Sequence, residues 1–170
     1  MNTNAKTLRL AAVTLVAIVL LLCCIGCKAA TGSQIEDKAT DFTLSTIAGD
    51  NINLRNLEGK PVMISFWTTG CGACIYQMKF LQAAQEALKD KVVFIEIDIA
   101  ENSYTVKQCV DYYRFNLSVA LDSDASVATA YNIRYTPTNI VIDSKGVIQK
   151  VKIGAFTNTS QILTIFSDVK

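Results

Sequence analysis

The sequence contains no histidine among its 170 residues. Histidine is the usual general base, a common metal ligand and the partner that activates most serine and cysteine hydrolases. Its absence therefore argues against these chemistries in their usual form. The most reactive side chains that remain are the six cysteines: Cys23, Cys24, Cys27, Cys71, Cys74 and Cys109.

Acidic residues are missing from the start of the chain. All 15 follow Cys27, whereas Lys6 and Arg9 precede it. Because two of the 16 basic residues lie before Cys27, the remainder has a net charge of 14 − 15 = −1. A nucleic-acid surface would need a clustered basic face, which this sequence does not have. We therefore expect a mixed, solvated surface and no nucleic-acid partner.

Residues 1–27 have the organisation of an export signal. Lys6 and Arg9 are followed by an apolar run over 10–25, interrupted only by Thr14, which is typical of secretory leaders. The segment Ile25-Gly26-Cys27 resembles the end of a bacterial lipoprotein signal, although Cys24 stands where that pattern has Leu. Lipidation at Cys27, an uncleaved membrane anchor and cleavage with release all stay open. In each case the domain lies outside the cytoplasmic membrane.

The rest of the chain divides into a polar tether, residues 28–34, and one folded domain, residues 35–170, which is long enough to bury a core. Hydrophobic periodicity predicts strands over 41–44, 51–54, 62–67, 92–99, 117–121, 138–142 and 147–153. It predicts helices over about 72–89, 103–114, 124–131 and 158–169. This order predicts a mixed sheet covered by helices on both faces, an α/β sandwich.

Cys71 and Cys74 stand where the strand 62–67 gives way to the first helix. At a helix N-terminus, unpaired N–H groups and the helix dipole stabilise a thiolate, which is the nucleophile of disulfide exchange. Cys74, one turn further and more buried, is placed to attack the resulting mixed disulfide and release the product. The spacing therefore predicts a redox-active pair.

Three other interpretations of this pair are weaker. A zinc site needs two more ligands, and beyond the leader only Cys109 remains. A c-type haem attachment needs His after the second Cys, where Ile75 stands. A purely structural disulfide that closes so short a loop stabilises little. We therefore expect neither a metal nor a cofactor.

Two stretches resemble the active site of thioredoxins: Phe66-Trp67 before the cysteines, and Tyr135-Thr136-Pro137-Thr138, which is similar to the cis-proline loop. The opening Asp41-Phe42-Thr43-Leu44, the lead-in Gly59-Lys60-Pro61 and an extra helix near 101–114 are similar to the membrane-tethered TlpA/ResA-like branch. The resemblance covers about 35–170. It implies a thioredoxin-like three-layer sandwich with an N-terminal β extension and one inserted helix.

The resemblance also implies roles for three residues around the pair. Pro137 would be cis, the backbone of Thr136 would pair with a substrate chain like an added strand, and Trp67 would shield the cysteines from water. An ordinary turn proline and a purely structural core tryptophan are the alternatives. Cys109 is expected to be a small buried hydrophobe, with a regulatory thiol as its alternative.

The sequence departs from the resemblance at both usual proton acceptors. Ser65 stands where thioredoxin has a buried Asp, and Gln77 where the branch commonly has Glu. Glu96, in the middle of an apolar strand, is a candidate replacement because burial raises the pKa of an unpaired carboxyl group. We hypothesise that Glu96 lies beneath the pair and accepts the Cys74 proton. A carboxylate near the strand end that reaches water is the alternative.

The function expected from these features is reduction of disulfides in exported proteins by a monomeric enzyme. Oxidation by the same pair stays open, because the direction depends on how strongly the Cys71 thiolate is stabilised. The expected partners are those substrates, a membrane electron donor and the membrane itself, with cytochrome c maturation as one pathway that the resemblance suggests. Two alternatives stay open. One is a thiol peroxidase, since Thr68 precedes Cys71 by three residues as in peroxiredoxins, although Ile64 stands where their Pro is expected. The other is an envelope lipoprotein that binds a partner without turnover.

Overall fold

The computed structural model describes residues 31–169. The predicted leader, the candidate lipidation residue Cys27 and tether residues 28–30 lie outside the described residues, so these predictions stay predictions. The remaining tether residues include a two-residue strand, Thr31–Gly32. Within the described part, no helix is both long enough and apolar enough to cross a membrane.

An N-terminal β extension precedes the central sheet. It contains β1 (Thr31–Gly32) paired in parallel with β2 (Lys38–Ala39), and β3 (Thr43–Ser45) paired antiparallel with β4 (Asn51–Asn53). A short 3-10 helix, Leu54–Leu57, follows β4. The Tyr131 hydroxyl donates a hydrogen bond of 2.6 Å to the Thr40 carbonyl and so ties the extension to the main domain.

Five strands form the central sheet, namely β5 (Val62–Trp67), β6 (Val93–Ile99), β7 (Val119–Asp122), β8 (Thr138–Ile142) and β9 (Ile148–Ile153). Their order is β7-β6-β5-β8-β9. The strands β5, β6 and β7 run parallel, and β8 runs antiparallel to both of its neighbours. The sequences of β5 and β6 are nearly continuous apolar runs, because both faces of these strands are covered.

Helices cover both faces of this sheet. The helices are α1 (Gly72–Ala87), α2 (Ser103–Tyr113), α3 (Ser126–Ala130) and α4 (Thr159–Asp168). Buried residues of α1, α2 and α4 pack with Met63, Trp67 and Phe94 on one face, which we call the α1 face. Buried residues of α3 and the extension pack with Ile64 and Ile97 on the other face. The predicted mixed sheet with two helical layers, β extension and inserted helix is confirmed.

Local capping explains where the helices begin. The Asn102 side chain accepts a hydrogen bond of 2.9 Å from the Thr105 N–H at the start of α2. The Asp122 carboxylate accepts the N–H groups of Val127 and Ala128 at the start of α3. The helical spacing of Val106, Val110 and Tyr113 predicts one buried face of α2. The first two are buried, but the prediction for Tyr113 is wrong: it is 48% exposed, because α2 ends there and its ring stacks on Phe115 instead of entering the core.

Candidate active site

Cys71 and Cys74 form a disulfide with their Cα atoms 5.2 Å apart. Cys71 is the N-cap residue of α1, and its sulfur accepts a hydrogen bond of 3.2 Å from the Cys74 N–H. Cys74 is fully buried, whereas Cys71 is partly exposed. The two sulfurs are therefore unequal, because only Cys71 is open to a partner.

The chain reaches this disulfide through a short, open segment after β5. The Cys71 N–H donates to the Thr68 carbonyl at 3.2 Å, which forms the turn that leads into α1. Gly70 and Gly72 on either side of Cys71 are exposed, and a Cβ at either position would have nothing within 4 Å. The surface around Cys71 is thus uncrowded, as docking of a protein chain requires.

The Thr136–Pro137 peptide bond is cis. In the register of β5 and β8, Thr138 pairs with Phe66, so the residues before Thr138 lie at the sheet edge where β5 ends and the cysteine segment begins. The Pro137 carbonyl accepts a hydrogen bond from the Gly154 N–H at 2.8 Å. Within the described residues, neither the N–H nor the carbonyl of Thr136 makes a hydrogen bond. Both groups are therefore available to an added chain.

Trp67 is fully buried on the α1 face and belongs to the same packed cluster as Cys74. Its ring is part of the apolar layer beneath the disulfide. Its indole N–H has no hydrogen-bond partner among the described residues.

A buried hydrogen-bond network joins α1 to the sheet beneath Cys74. Gln77, one turn after Cys74, donates to the Ser65 hydroxyl at 2.8 Å and to the Asn139 side chain at 3.2 Å. The side-chain amide oxygen of Gln77, Oε1, accepts a hydrogen bond of 3.2 Å from the Phe156 N–H. The resemblance to thioredoxins and to the TlpA/ResA-like branch implies an acid at two positions, 65 and 77. In this chain these positions hold Ser65 and Gln77, which are neutral and hydrogen-bonded to each other.

Glu96 lies on the same α1 face, because it alternates with Ile95 and Ile97 of the opposite face and pairs directly with Ser65 across β5 and β6. It is fully buried, and neither carboxyl oxygen has a hydrogen-bond partner among the described residues. Burial raises the pKa of Glu96 to about 8, and the neighbouring Ser65 hydroxyl offsets only part of that effect. Glu96 does not reach water, so that alternative is wrong. The role of Glu96 in proton transfer stays a prediction.

A second buried acid, Asp98, which was not among the residues predicted from the sequence, lies two residues along the same strand and on the same face. It pairs with Trp67 across β5 and β6. Burial raises the pKa of Asp98 to about 8, and the nearby Glu101 carboxylate adds to the shift. Strand alternation could have revealed it, because side chains two residues apart on a strand share a face.

Glu101 itself contacts the segment that precedes Cys71. Its carboxylate accepts hydrogen bonds of 2.6 Å from both the N–H and the hydroxyl of Thr69. Burial alone would raise the pKa of Glu101, but the bonds from Thr69 and the contact with Asp98 outweigh it and hold the pKa below its ordinary value. The sequence carries no signal for this contact, because it joins two loops 32 residues apart.

Cys109 is half-buried on α2, and burial together with Glu101 and Asp98 raises the pKa of its thiol. It is therefore a poor nucleophile compared with a thiol at a helix N-terminus. Over residues 31–169, no three Cys, Asp or Glu side chains come together as candidate metal ligands.

A disulfide on the first turn of a helix, with one sulfur accessible and the other buried, is suited to accept and release disulfides by exchange. Combined with the sheet order and the adjacent cis-proline loop, it defines a thiol–disulfide oxidoreductase of the thioredoxin-like fold. The chain belongs to the AhpC/TSA family, whose model matches residues 35–151.

Individual relatives agree with this class. The chain is 35% identical over 126 residues to the thiol-disulfide oxidoreductase ResA of Halalkalibacterium halodurans, covering 74% of this chain and 72% of the relative. It is 29% identical to the thioredoxin-like protein YneN of Bacillus subtilis, covering 76% and 78%. Its fold is similar to the crystal structure of StoA from Bacillus subtilis, with a TM-score of 0.65 and 26% identity over 72% of this chain and 93% of StoA.

Proposed function

We propose that this oxidoreductase reduces disulfide bonds of exported proteins at the outer face of the cytoplasmic membrane. The observation that carries the proposal is the unequal exposure of the two sulfurs. Cys71 is partly exposed beside two open glycine positions, whereas Cys74 is fully buried. This asymmetry assigns attack on the substrate to Cys71 and resolution to Cys74.

The reaction proceeds by two thiolate exchanges. In the reduced enzyme, the Cys71 thiolate attacks one sulfur of the substrate disulfide, forms a mixed disulfide and releases one substrate thiolate. The Cys74 thiolate then attacks the Cys71 sulfur, which releases the second substrate thiolate and leaves the Cys71–Cys74 disulfide. A dithiol donor in the membrane returns two electrons by the same exchange in reverse.

The sheet edge at Thr136 supplies the place for the substrate chain. Its unbonded N–H and carbonyl can pair with an extended segment, which would lay the substrate disulfide across Cys71. Pro137 fixes the backbone direction at this point, and Trp67 closes the apolar layer beneath the sulfurs.

Glu96 is proposed to exchange a proton with Cys74. In the disulfide form described here, its pKa of about 8 keeps it mostly protonated at neutral pH. When a donor opens the disulfide at Cys71, Cys74 leaves as a thiolate, and a neutral acid on the same face can give it a proton. In the opposite direction, the ionised acid takes that proton back.

The location rests on the leader. Lys6 and Arg9 before an apolar run support a position of the following domain outside the membrane. Lipid attachment at Cys27 or an uncleaved anchor would hold the enzyme there. Such a place suits supply of reduced thiols to exported proteins, of which apocytochromes c awaiting haem are one class. Labelling with a radioactive fatty acid separates the lipid from the anchor: lipid attachment predicts label in the full chain and none in Cys27→Ser, whereas an uncleaved anchor predicts no label in either.

The function is tested by insulin reduction with dithiothreitol as donor. We expect turnover by the full chain, loss of turnover in Cys71→Ser, and retention in the matched control Cys109→Ser. A chain that consumes peroxide faster than it reduces insulin would favour a thiol peroxidase. A chain that turns over neither substrate would leave a binding protein.

A further inference from the structure

The segment Thr68–Gly70 presents Cys71, yet little packing holds it. Gly70 is exposed, and Thr68 and Thr69 are only partly buried. The strongest contact of the segment to the rest of the molecule is the pair of bonds from Thr69 to Glu101, both of 2.6 Å. Hydrogen bonds to a charged acceptor are about twice as strong as neutral ones. The carboxylate of Glu101 therefore fixes this segment.

Asp98 lies behind Glu101 and is fully buried. Neither of its carboxyl oxygens has a hydrogen-bond partner of ordinary geometry among the described residues, and the backbone donor close to it is the Glu101 N–H. Its contact with the Glu101 carboxylate is a hydrogen bond only when a proton lies between the two carboxyl groups. Since Thr69 stabilises the charged form of Glu101, the proton resides on Asp98.

The other groups around this pair do not supply a compensating positive charge. Cys109 on α2 is close to the pair, and Glu96 lies on the same strand and face as Asp98. Asp122 on β7 pairs with Ile99 on the opposite face, and its negative charge raises the pKa of Asp98 further. No lysine or arginine within residues 31–169 forms an ion pair with Asp98 or Glu101. Loss of the Asp98 proton therefore sets two neighbouring carboxylates against each other.

We propose that Glu101 is a positioning residue of the exchange site, that it holds Thr69 and thereby the segment before Cys71, and that the neutral Asp98 carboxyl group holds Glu101. The inference rests on the proposed function, because the step affected is exchange at Cys71. If Asp98 must be protonated to hold Glu101, the position of the segment Thr68–Gly70 depends on pH. Below about pH 8 Asp98 donates to Glu101, and above it the two carboxylates repel and the segment loosens.

The first test is a double-mutant cycle on insulin reduction by the full chain. We expect Glu101→Ala to lower kcat/KM by about tenfold and Thr69→Ala, which keeps its N–H, by about threefold. The double variant should be no slower than Glu101→Ala alone, since the hydroxyl has then already lost its partner. Glu101→Gln, which keeps the volume and one acceptor, should fall between Glu101→Ala and the wild type.

The second test is the pH profile of the same rate. The profile is measured in a Glu96→Gln background, because Glu96 is the other carboxyl group whose pKa is about 8. In that background the rate should rise as Cys71 ionises and fall as pH passes about 8, where Asp98 loses its proton. Adding Asp98→Asn keeps a donor to Glu101 at every pH, so the fall should be absent. The matched control is Asp111→Asn in the same background, at an exposed position on α2, which should retain the fall.

The outcomes separate this inference from the function itself. A wild-type chain that does not reduce insulin contradicts the proposed function. A wild-type chain that turns over, with Glu101→Ala equally fast at every pH or with the alkaline fall retained in the double variant Glu96→Gln/Asp98→Asn, overturns the positioning role alone. If Glu101→Ala and Glu101→Gln both alkylate faster with iodoacetamide and by equal factors, Glu101 acts through its charge and not through Thr69.

Discussion

Ser65 on β5 and Glu96 on β6 are directly paired residues whose side chains share the α1 face of the sheet. Gln77 of α1 bonds to the Ser65 hydroxyl from above, one turn after Cys74. The acid that thioredoxins carry at the position of Ser65 is thus present one strand away, on the same face. A buried carboxyl group therefore lies next to the Ser65–Gln77 bond, on the face of the sheet that α1 covers.

The first prediction concerns Glu96 in reduction of the disulfide. Glu96→Gln should slow the opening of Cys71–Cys74 by dithiothreitol by about tenfold below pH 8, because an acid that protonates a leaving thiolate is lost. Above pH 9 the two rates should converge, since the wild-type carboxyl group is then ionised and has no proton to give. Stopped-flow measurement of Trp67 fluorescence follows the reaction. Glu86→Gln, at an exposed position on α1, is the control.

The second prediction concerns stability. The pKa of Glu96 is about 8 in the folded chain, whereas the ordinary pKa of a glutamate is 4.5, so only the folded state holds the proton between these two values. Stability should therefore fall as pH rises from 5 to 8, with about 3 kcal/mol lost through this group. Glu96→Gln should lose that much less over the same interval. Urea unfolding at each pH measures the difference, and parallel curves for the two proteins would contradict the prediction.

The third prediction concerns the neutral network beneath Cys74. Gln77→Leu keeps the volume but leaves the Phe156 N–H and the Asn139 side chain without their bonds to Gln77. We expect a loss of about 3 kcal/mol in the free energy of unfolding, because buried polar groups lose their partners. Gln85→Leu on the same helix, where the side chain makes only a 3.4 Å bond to the Asn116 carbonyl, should cost less than about 1 kcal/mol. Equal losses of unfolding free energy in Gln77→Leu and Gln85→Leu would contradict a stabilising role of the buried network.

The fold and the redox pair could be predicted from the sequence because they depend on short-range patterns. The apolar run 62–67, the helix that begins after Cys71 and the hairpin 138–153 are each specified by residues close together in the chain. Burial of Glu96 was also foreseeable, because apolar residues flank it on a central strand.

The Asp98–Glu101–Thr69 contacts were not foreseeable in the same way. They depend on where the loops after β5 and β6 end, and no periodicity sets that distance. The predicted burial of Tyr113 was wrong for a related reason. The apolar period of the helix continues to Tyr113, but the helix ends at this residue. Pattern analysis gives the face of an element, whereas contacts between loops follow from the assembled sheet.

The fourth prediction concerns the link between the β extension and the domain. Tyr131→Phe removes the hydroxyl that donates to the Thr40 carbonyl at 2.6 Å while the ring keeps its contacts with Phe42 and Phe66. We expect a loss of about 1 kcal/mol in the free energy of unfolding. Tyr112→Phe, whose ring is 80% exposed, makes the same chemical change without a buried partner and should be neutral. A neutral Tyr131→Phe would show that the extension is held by packing alone.

The last prediction is that Cys74→Ser traps substrates. With the resolving sulfur removed, the mixed disulfide formed at Cys71 has no intramolecular nucleophile to open it, and the half-buried Cys109 on α2 has a raised pKa that makes it a weak substitute. Expression of the full chain as Cys74→Ser should therefore yield species of higher mass that collapse on treatment with dithiothreitol. The double variant Cys71→Ser/Cys74→Ser should yield none, whereas Cys74→Ser/Cys109→Ser should yield as many as Cys74→Ser. If the adducts instead require Cys109, attack on substrates does not begin at Cys71.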